Sequence, residues 1–170
     1  MKTFTIIRHA KSGWAGFSVS DFERPLDDTG LEEAPLMAKR LLQQNIKPDF
    51  FVSSPALRAR TTCEKFCEVF HQDIHQIEFH DTLYHAPAEE IYRVISTLPN
   101  EYNNVALFCH NPGITDFVNS LSDEFRLDDM PPCGLLSVEV PVTDWALFEA
   151  ATKKILFFDY PKNQSSFSSK

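Results

Sequence analysis

No apolar run in this sequence approaches the roughly 20 residues needed to cross a bilayer, so no membrane span is expected. The opening apolar stretch, Phe4-Thr5-Ile6-Ile7, is too short for a signal peptide and is cut by Arg8. A cytoplasmic location, away from membranes, is the resulting expectation. The four cysteines, Cys63, Cys67, Cys109 and Cys133, include no Cys-x-x-Cys pair. They read as reduced, mostly buried thiols. Cations are in the minority, with 16 Lys and Arg against 24 Asp and Glu and a net charge of -8. That balance argues against a broad nucleic-acid-binding surface, which needs clustered cations to neutralise phosphates. It leaves room for a small local cationic site. Internal repeats and an interdomain linker are also lacking.

The chain has 170 residues, 43% of them apolar and 24% charged. Chains of about 100–200 residues usually form one domain. One of this length buries about 70% of the surface its unfolded form exposes, and needs no disulfide or metal to fold. The composition excludes collagen, a long coiled coil and a disordered tail protein. A single domain over residues 1–162 is expected, followed by a polar, mobile tail over 163–170.

Short β-rich runs alternate with longer helical patterns. Thr3 to Ile7 reads as the first strand. Leu31, Ala34, Ala38, Leu41 and Leu42 recur at helical spacing, with Thr29 as the expected cap and Glu32 completing a capping box. Phe50 to Val52 reads as a second strand. Ser54 as N-cap and Pro55 at the first helical position would open a helix reaching about Phe70. Ile74 to Phe79 reads as a strand, Glu89 to Leu98 as a helix, Val105 to Cys109 as a strand and Gly113 to Leu121 as a helix. Leu135 to Val142 and Lys154 to Phe158 read as late strands with no helix between them, so antiparallel pairing is expected there. The alternation predicts an α/β three-layer sandwich, a mostly parallel central sheet with helices on both faces.

Three apolar runs end alike. Phe4-Thr5-Ile6-Ile7 ends in Arg8-His9, Phe50-Phe51-Val52 in Ser53-Ser54-Pro55-Ala56-Leu57-Arg58, and Val105-Ala106-Leu107-Phe108-Cys109 in His110-Asn111-Pro112. Ligands of open α/β sheets bind outside the carboxyl ends of the strands. If these strands are parallel neighbours, Arg8, His9, Arg58 and His110 converge into an anion site. Arg58, in the first turn of a helix, would add that helix's positive end to the field. An arginine fork also matches phosphate oxygens.

Ile7-Arg8-His9-Ala10-Lys11-Ser12, Ser53-Ser54-Pro55-Ala56-Leu57-Arg58-Ala59-Arg60-Thr61-Thr62 and Cys109-His110-Asn111-Pro112 resemble the three motifs of the histidine phosphatase superfamily, of phosphoglycerate-mutase-like fold. Arg24-Pro25-Leu26-Asp27-Asp28-Thr29-Gly30 is similar to an element of its small SixA-like branch, whose known member dephosphorylates phosphohistidine. The match runs in order from residue 4 to about residue 115. The resemblance implies that His9 is the nucleophile, its neutral imidazole attacking phosphorus to form a phosphohistidine intermediate. It implies that Arg8, Arg58 and a protonated His110 hold the non-bridging oxygens, with Ser12 able to add a hydroxyl. No metal or other cofactor is required, because the cations are side chains. Two positions depart from the pattern: Ala10 stands where Gly is usual, and Ala15 where larger relatives carry a phosphate-binding Asn. Asp81 is the nearest counterpart of the family's general acid, with a plain surface aspartate as the alternative reading. A phosphoramidate leaving nitrogen is easily protonated and would demand less of such an acid.

The chain has little room between its motifs for the helical lid of the mutases, which disfavours a mutase. An open site suits a phosphohistidine displayed on a protein, or a small phosphorylated metabolite, as partner, and a monomer is expected. Two rival readings stand beside a phosphatase. His71, His75, His80 and His85 crowd one stretch, and His71 and His75 are four apart, as in some metal hydrolases; but the Glu that would act as base after the first His is missing. Solvated loop histidines are the alternative there. A phosphate-recognising module without catalysis is the other rival.

Overall fold

The computed structural model describes residues 1–14, 16 and 18–163. Ala15 and the tail from 164 onward therefore lie outside the described residues. Six strands form one sheet in the order β3-β2-β4-β1-β5-β6. They are β1 (Lys2–Arg8), β2 (Phe50–Ser53), β3 (Glu78–Phe79), β4 (Asn104–Cys109), β5 (Leu135–Val140) and β6 (Lys154–Asp159). β1 to β4 are mutually parallel, β5 pairs antiparallel with β1, and β6 antiparallel with β5. The mostly parallel sheet and the late antiparallel pair are as the sequence predicts.

Alternation along the strands separates two cores. Phe4, Ile6, Val105 and Leu107 point to the face covered by α3 (Ala88–Ser96) and α4 (Gly113–Ser120), where they meet Ile91, Ile95, Phe117 and Val118. Ile7, Phe51, Ala106 and Phe108 point to the opposite face. There α1 (Asp28–Gln43) and α2 (Leu57–Phe70) supply Met37, Leu41, Cys63 and Phe66. The fold is thus three layers, with the sheet between two helical pairs. All four cysteines are buried and free. Among the described residues, no helix is long and apolar enough to cross a membrane.

Three local expectations change. The cap of α1 is Asp27, whose carboxylate accepts from Gly30 N at 2.8 Å; Thr29 is already helical. α2 begins at Leu57, two residues later than Pro55 would open it, because Ser54 is drawn to other partners described below. The run Ile74 to Phe79 is a 3₁₀ turn, Ile74–Gln76, followed by only two strand residues. Its β-rich composition yields to a position at the sheet edge, where β3 finds β2 for two residue pairs alone.

Candidate active site

The register places the three predicted strand ends side by side. Arg8 faces Cys109 across β1 and β4, and Ser53 faces Phe108 across β2 and β4. The backbone of His9 continues the sheet: its N–H donates to Cys109 O at 3.2 Å and its carbonyl accepts from Cys133 N at 3.1 Å. Ala10 N donates to Thr62 Oγ1 on α2, which tethers the loop after β1 to the second motif. Ala10 itself is fully buried in the α1/α2 core, so its methyl group fills space where the usual residue has none. Gly30 lets α1 start against this loop, since a Cβ there would stand 2.2 Å from Lys11 O.

The result is an open cleft of about 340 Å³ lined by Arg8, His9, Ser12, Arg58 and His110. All the phosphate-site residues expected from the sequence meet here. Asp81 does not join them. It is exposed, heads a 3₁₀ turn and is not among the residues lining the cleft. The turn carries its neighbour Tyr84 and then His85 to the cleft side instead. The structure adds Asp21, Arg24 and His85 to the lining.

Both imidazoles are nearly inaccessible, and the carbonyl partner of His9 assigns its nitrogens. His9 Nδ1 lies 2.8 Å from Ala10 O, so Nδ1 carries the proton and Nε2 keeps its lone pair for attack. Ala56 N donates to Ser54 Oγ at 3.3 Å, and Ser54 Oγ lies 2.7 Å from His110 Nε2. The Ser54 hydroxyl can donate its proton to Nε2, and in that tautomer His110 Nδ1, buried and with no partner among the described residues, holds the ring proton. Burial lowers His9 to about 3, with Arg58 and Arg8 adding to the effect. Burial likewise lowers His110 to about 3, with His9, Arg58 and His85 adding. The fold thus keeps both rings neutral, whereas the family role implied a protonated His110. A neutral ring with Nδ1–H still donates to an oxygen, and an arriving phosphate charge pulls the ring toward its protonated form.

Arginines complete the anion site. Arg58 is almost fully buried. Its Nη1 donates to Asp21 O at 2.6 Å and its Nη2 to the Asp21 carboxylate at 3.1 Å. Arg8 Nη1 donates to Met130 O at 2.7 Å. Burial lowers Arg8, opposed by Asp129 and helped by Arg58 and Arg24. Arg24 pairs with Asp21 at 3.3 Å rather than with Asp27 or Asp28, and lies over the Trp14 ring. The Nε atoms of Arg8, Arg24 and Arg58 are all buried and unpartnered. With His110 Nδ1, they are four buried nitrogens without a partner on residues of one cleft. Buried polar groups are nearly always paired in native structures, so such a cluster suits an acceptor-rich anion.

The histidine stretch resolves differently from a metal site. α2 ends at Phe70, His71 caps it with a left-handed backbone, and His75 lies beyond in a 3₁₀ turn, so the two share no helix face. Only His85 of that group lines the cleft.

The neutral histidines set an acid limit on stability. In the unfolded chain a histidine protonates below about pH 6.5, while these two stay neutral in the fold down to about 3. The unfolded state then binds more protons, and stability falls as pH drops through that window, by about 1.4 kcal/mol per unit for each ring. Denaturant melts between pH 7 and 4 should show this slope, reduced in His9→Gln/His110→Gln. An unchanged slope in that variant would mean that the two rings take up protons in the fold.

Comparison with known proteins bears on the family and the fold. Residues 4–84 match the histidine phosphatase superfamily (branch 1). An uncharacterized chloroplastic protein of Arabidopsis thaliana is 39% identical over 57 residues, 34% of this chain; the matched chain spans about a quarter, 26%, of that relative's length. A crystal structure from Agrobacterium tumefaciens, described as a phosphohistidine phosphatase SixA, superposes with a TM-score of 0.79 at 25% identity, over 94% of this chain and 98% of that one. The protein histidine phosphatase SixA complexed with tungstate has the same fold, with a TM-score of 0.78 at 23% identity over 95% and 98%. A mycobacterial glucosyl-3-phosphoglycerate phosphatase is more distant, at 0.60 and 16% over 91% and 97%.

Proposed function

We propose that this chain, which belongs to the histidine phosphatase superfamily and so to a family of phosphohydrolases, acts through a phosphohistidine intermediate on His9 and takes its phosphate from phosphohistidine displayed on a protein. The observation that carries the chemistry is the set of four buried, unpartnered nitrogens on Arg8, Arg24, Arg58 and His110, all of which line the same cleft as His9. His9 Nε2 attacks phosphorus in line as the bond to the leaving group breaks. Arg8, Arg58 and His110 hold the three non-bridging oxygens, with Arg24 within the same lining and Ser12 at its edge. These fixed donors offset the charge spread over the transferring group without reorganising at the moment of reaction. Water then attacks the phosphohistidine, and the anion is released. The side-chain charges leave the chemistry with no need of a metal.

A protein substrate is favoured by the rim. Trp14 is 86% exposed above Arg24, and Phe22, 40% exposed, packs edge-on against Tyr84. Exposed aromatics beside a charged cleft are typical of a surface that meets another macromolecule. A second groove of about 320 Å³, walled by Pro131, Pro132, Tyr160 and Pro161, shares Lys11 and Pro132 with the cleft and extends the surface.

The test is a panel in chelator: p-nitrophenyl phosphate, a phosphohistidine protein, sugar phosphates and nucleotides. The expected result is turnover of the aryl ester and the highest kcat/KM on the phosphohistidine protein. Acid quench should trap no phosphate on Ser or Cys; any trapped label should be acid-labile and alkali-stable, as a phosphoramidate is. No turnover of any member would favour the non-catalytic phosphate-binding reading, and turnover only with an added divalent ion would favour the metal reading.

A further inference from the structure

We propose that His85 is the proton donor to the leaving group, held for that task by Asp21; this rests on the hydrolase reading above. With Asp81 outside the cleft, the lining holds three titratable groups apart from the arginines, Lys11 and the two histidines already assigned: Ser12, Asp21 and His85. Ser12 is too weak an acid for the role. The hydrogen bond from Tyr84, together with Arg58 and Arg24, lowers Asp21 to about 2 against the cost of burial, so this carboxylate stays charged and has no proton to give. Imidazole is the side chain suited to donate and recover a proton near neutrality.

The structure holds His85 in place by three separate means. Its Nε2 lies 3.6 Å from Asp21 Oδ2, an oxygen that also accepts from Tyr84 and Arg58. The Tyr84 ring packs on the imidazole with centroids 4.0 Å apart. The backbone carbonyl of Ala86 is pressed against Gly113 at the start of α4, where a Cβ would stand 1.8 Å from it. His85 itself has a positive φ of 58°, a conformation that non-glycine residues keep only when their surroundings impose it. The ring centroid is 6.3 Å from that of His110, whose own centroid is 5.2 Å from His9. His85 therefore sits at the mouth, on the exposed side of the reacting pair, where the leaving group of a displayed phosphate must exit. The charged and titratable groups around it are Asp21, Tyr84, Arg58 and His110.

The step balances as follows. His9 Nε2 forms a bond to phosphorus while the bond from phosphorus to the leaving oxygen or nitrogen breaks. That atom keeps the electron pair and takes the proton from protonated His85. In the second half, neutral His85 takes a proton from the attacking water, whose oxygen bonds to phosphorus as the bond to His9 breaks. Asp21 is a positioning residue: it touches Arg58 and His85, and is itself acceptor-only.

The experiment compares wild type with His85→Gln, His85→Ala and Asp21→Asn on p-nitrophenyl phosphate, an alkyl phosphate such as glycerol 2-phosphate, and phosphoramidate. An alkoxide leaves only with a proton, whereas p-nitrophenolate leaves without one. Loss of a general acid costs 10²–10⁴-fold where the proton is needed. His85→Gln should therefore lose about 10²-fold or more in kcat on the alkyl ester and at least tenfold less on the aryl ester, with phosphoramidate between them. The alkaline fall in kcat/KM for the alkyl ester should vanish in His85→Gln, and Asp21→Asn should share the alkyl-selective loss of kcat at smaller size. Added imidazole should restore part of the alkyl turnover of His85→Ala. Equal losses on all substrates, or an alkaline limb that survives in His85→Gln, overturns the assignment while leaving the hydrolase reading in place. If wild type turns over none of the three, both fall together.

Discussion

His9→Ala is expected to abolish turnover, by at least about 10⁴-fold, the scale on which removal of a nucleophile acts. The expectation follows from three features of one residue. Its Nδ1 is committed to Ala10 O, which leaves the lone pair on Nε2 for the attack expected of it. Burial and the neighbouring arginines keep the ring at about 3, so it is neutral and nucleophilic at any working pH. The backbone is held by Cys109, Cys133 and Thr62 through bonds that do not involve the ring. The variant should therefore keep its circular dichroism spectrum and a cooperative melt while losing both turnover and the acid-labile phosphoenzyme. A variant that retains more than a few per cent of the wild-type rate removes His9 from the nucleophile's role.

Arg58→Ala should lower kcat/KM by roughly 10²–10³-fold, the scale seen when one preorganised charge-stabilising donor is lost. Arg58 stands out among the cations because its two Nη atoms are anchored on Asp21 while Nε is left without a partner. Anchor and ligand donor are thus parts of one planar group. A lysine has the charge but only one nitrogen, and cannot hold Asp21 on one side and an oxyanion on the other. Arg58→Lys should accordingly recover less than about tenfold of the loss. Inhibition by vanadate should weaken in parallel with kcat/KM in both variants, since vanadate, like the transition state, needs that donor. Restoration of most of the activity by lysine would show that only the charge at this position matters, not the fork.

The motif residues were readable because each chemical group sits where an apolar strand stops. Ile7, Val52 and Cys109 end runs whose β-rich composition marks strands, and parallel pairing then leaves no choice about which ends share an edge. Periodicity located α1 to α4 for the same reason, since each helix repeats an apolar face. What failed was local competition. Thr29 and Asp27 are both good caps, and only the path of the chain into α1 chose Asp27. Ser54 looked like a cap because its neighbours suited one, yet its hydroxyl is drawn to His110, 56 positions away.

The sequence by itself determined the layered fold and which cationic and imidazole side chains end neighbouring strands, because strand ends and residue types are local properties. Tertiary structure decided the rest. It brought Asp21 onto Arg58 across 37 positions and Met130 O onto Arg8 across 122. It left Asp81 out of the cleft and placed His85 in its lining within one short turn, and it favours the neutral form of the His9 and His110 rings by burying them. Loop paths carry no periodicity, and burial is a property of the packed layers rather than of any segment, so neither can be read along the chain.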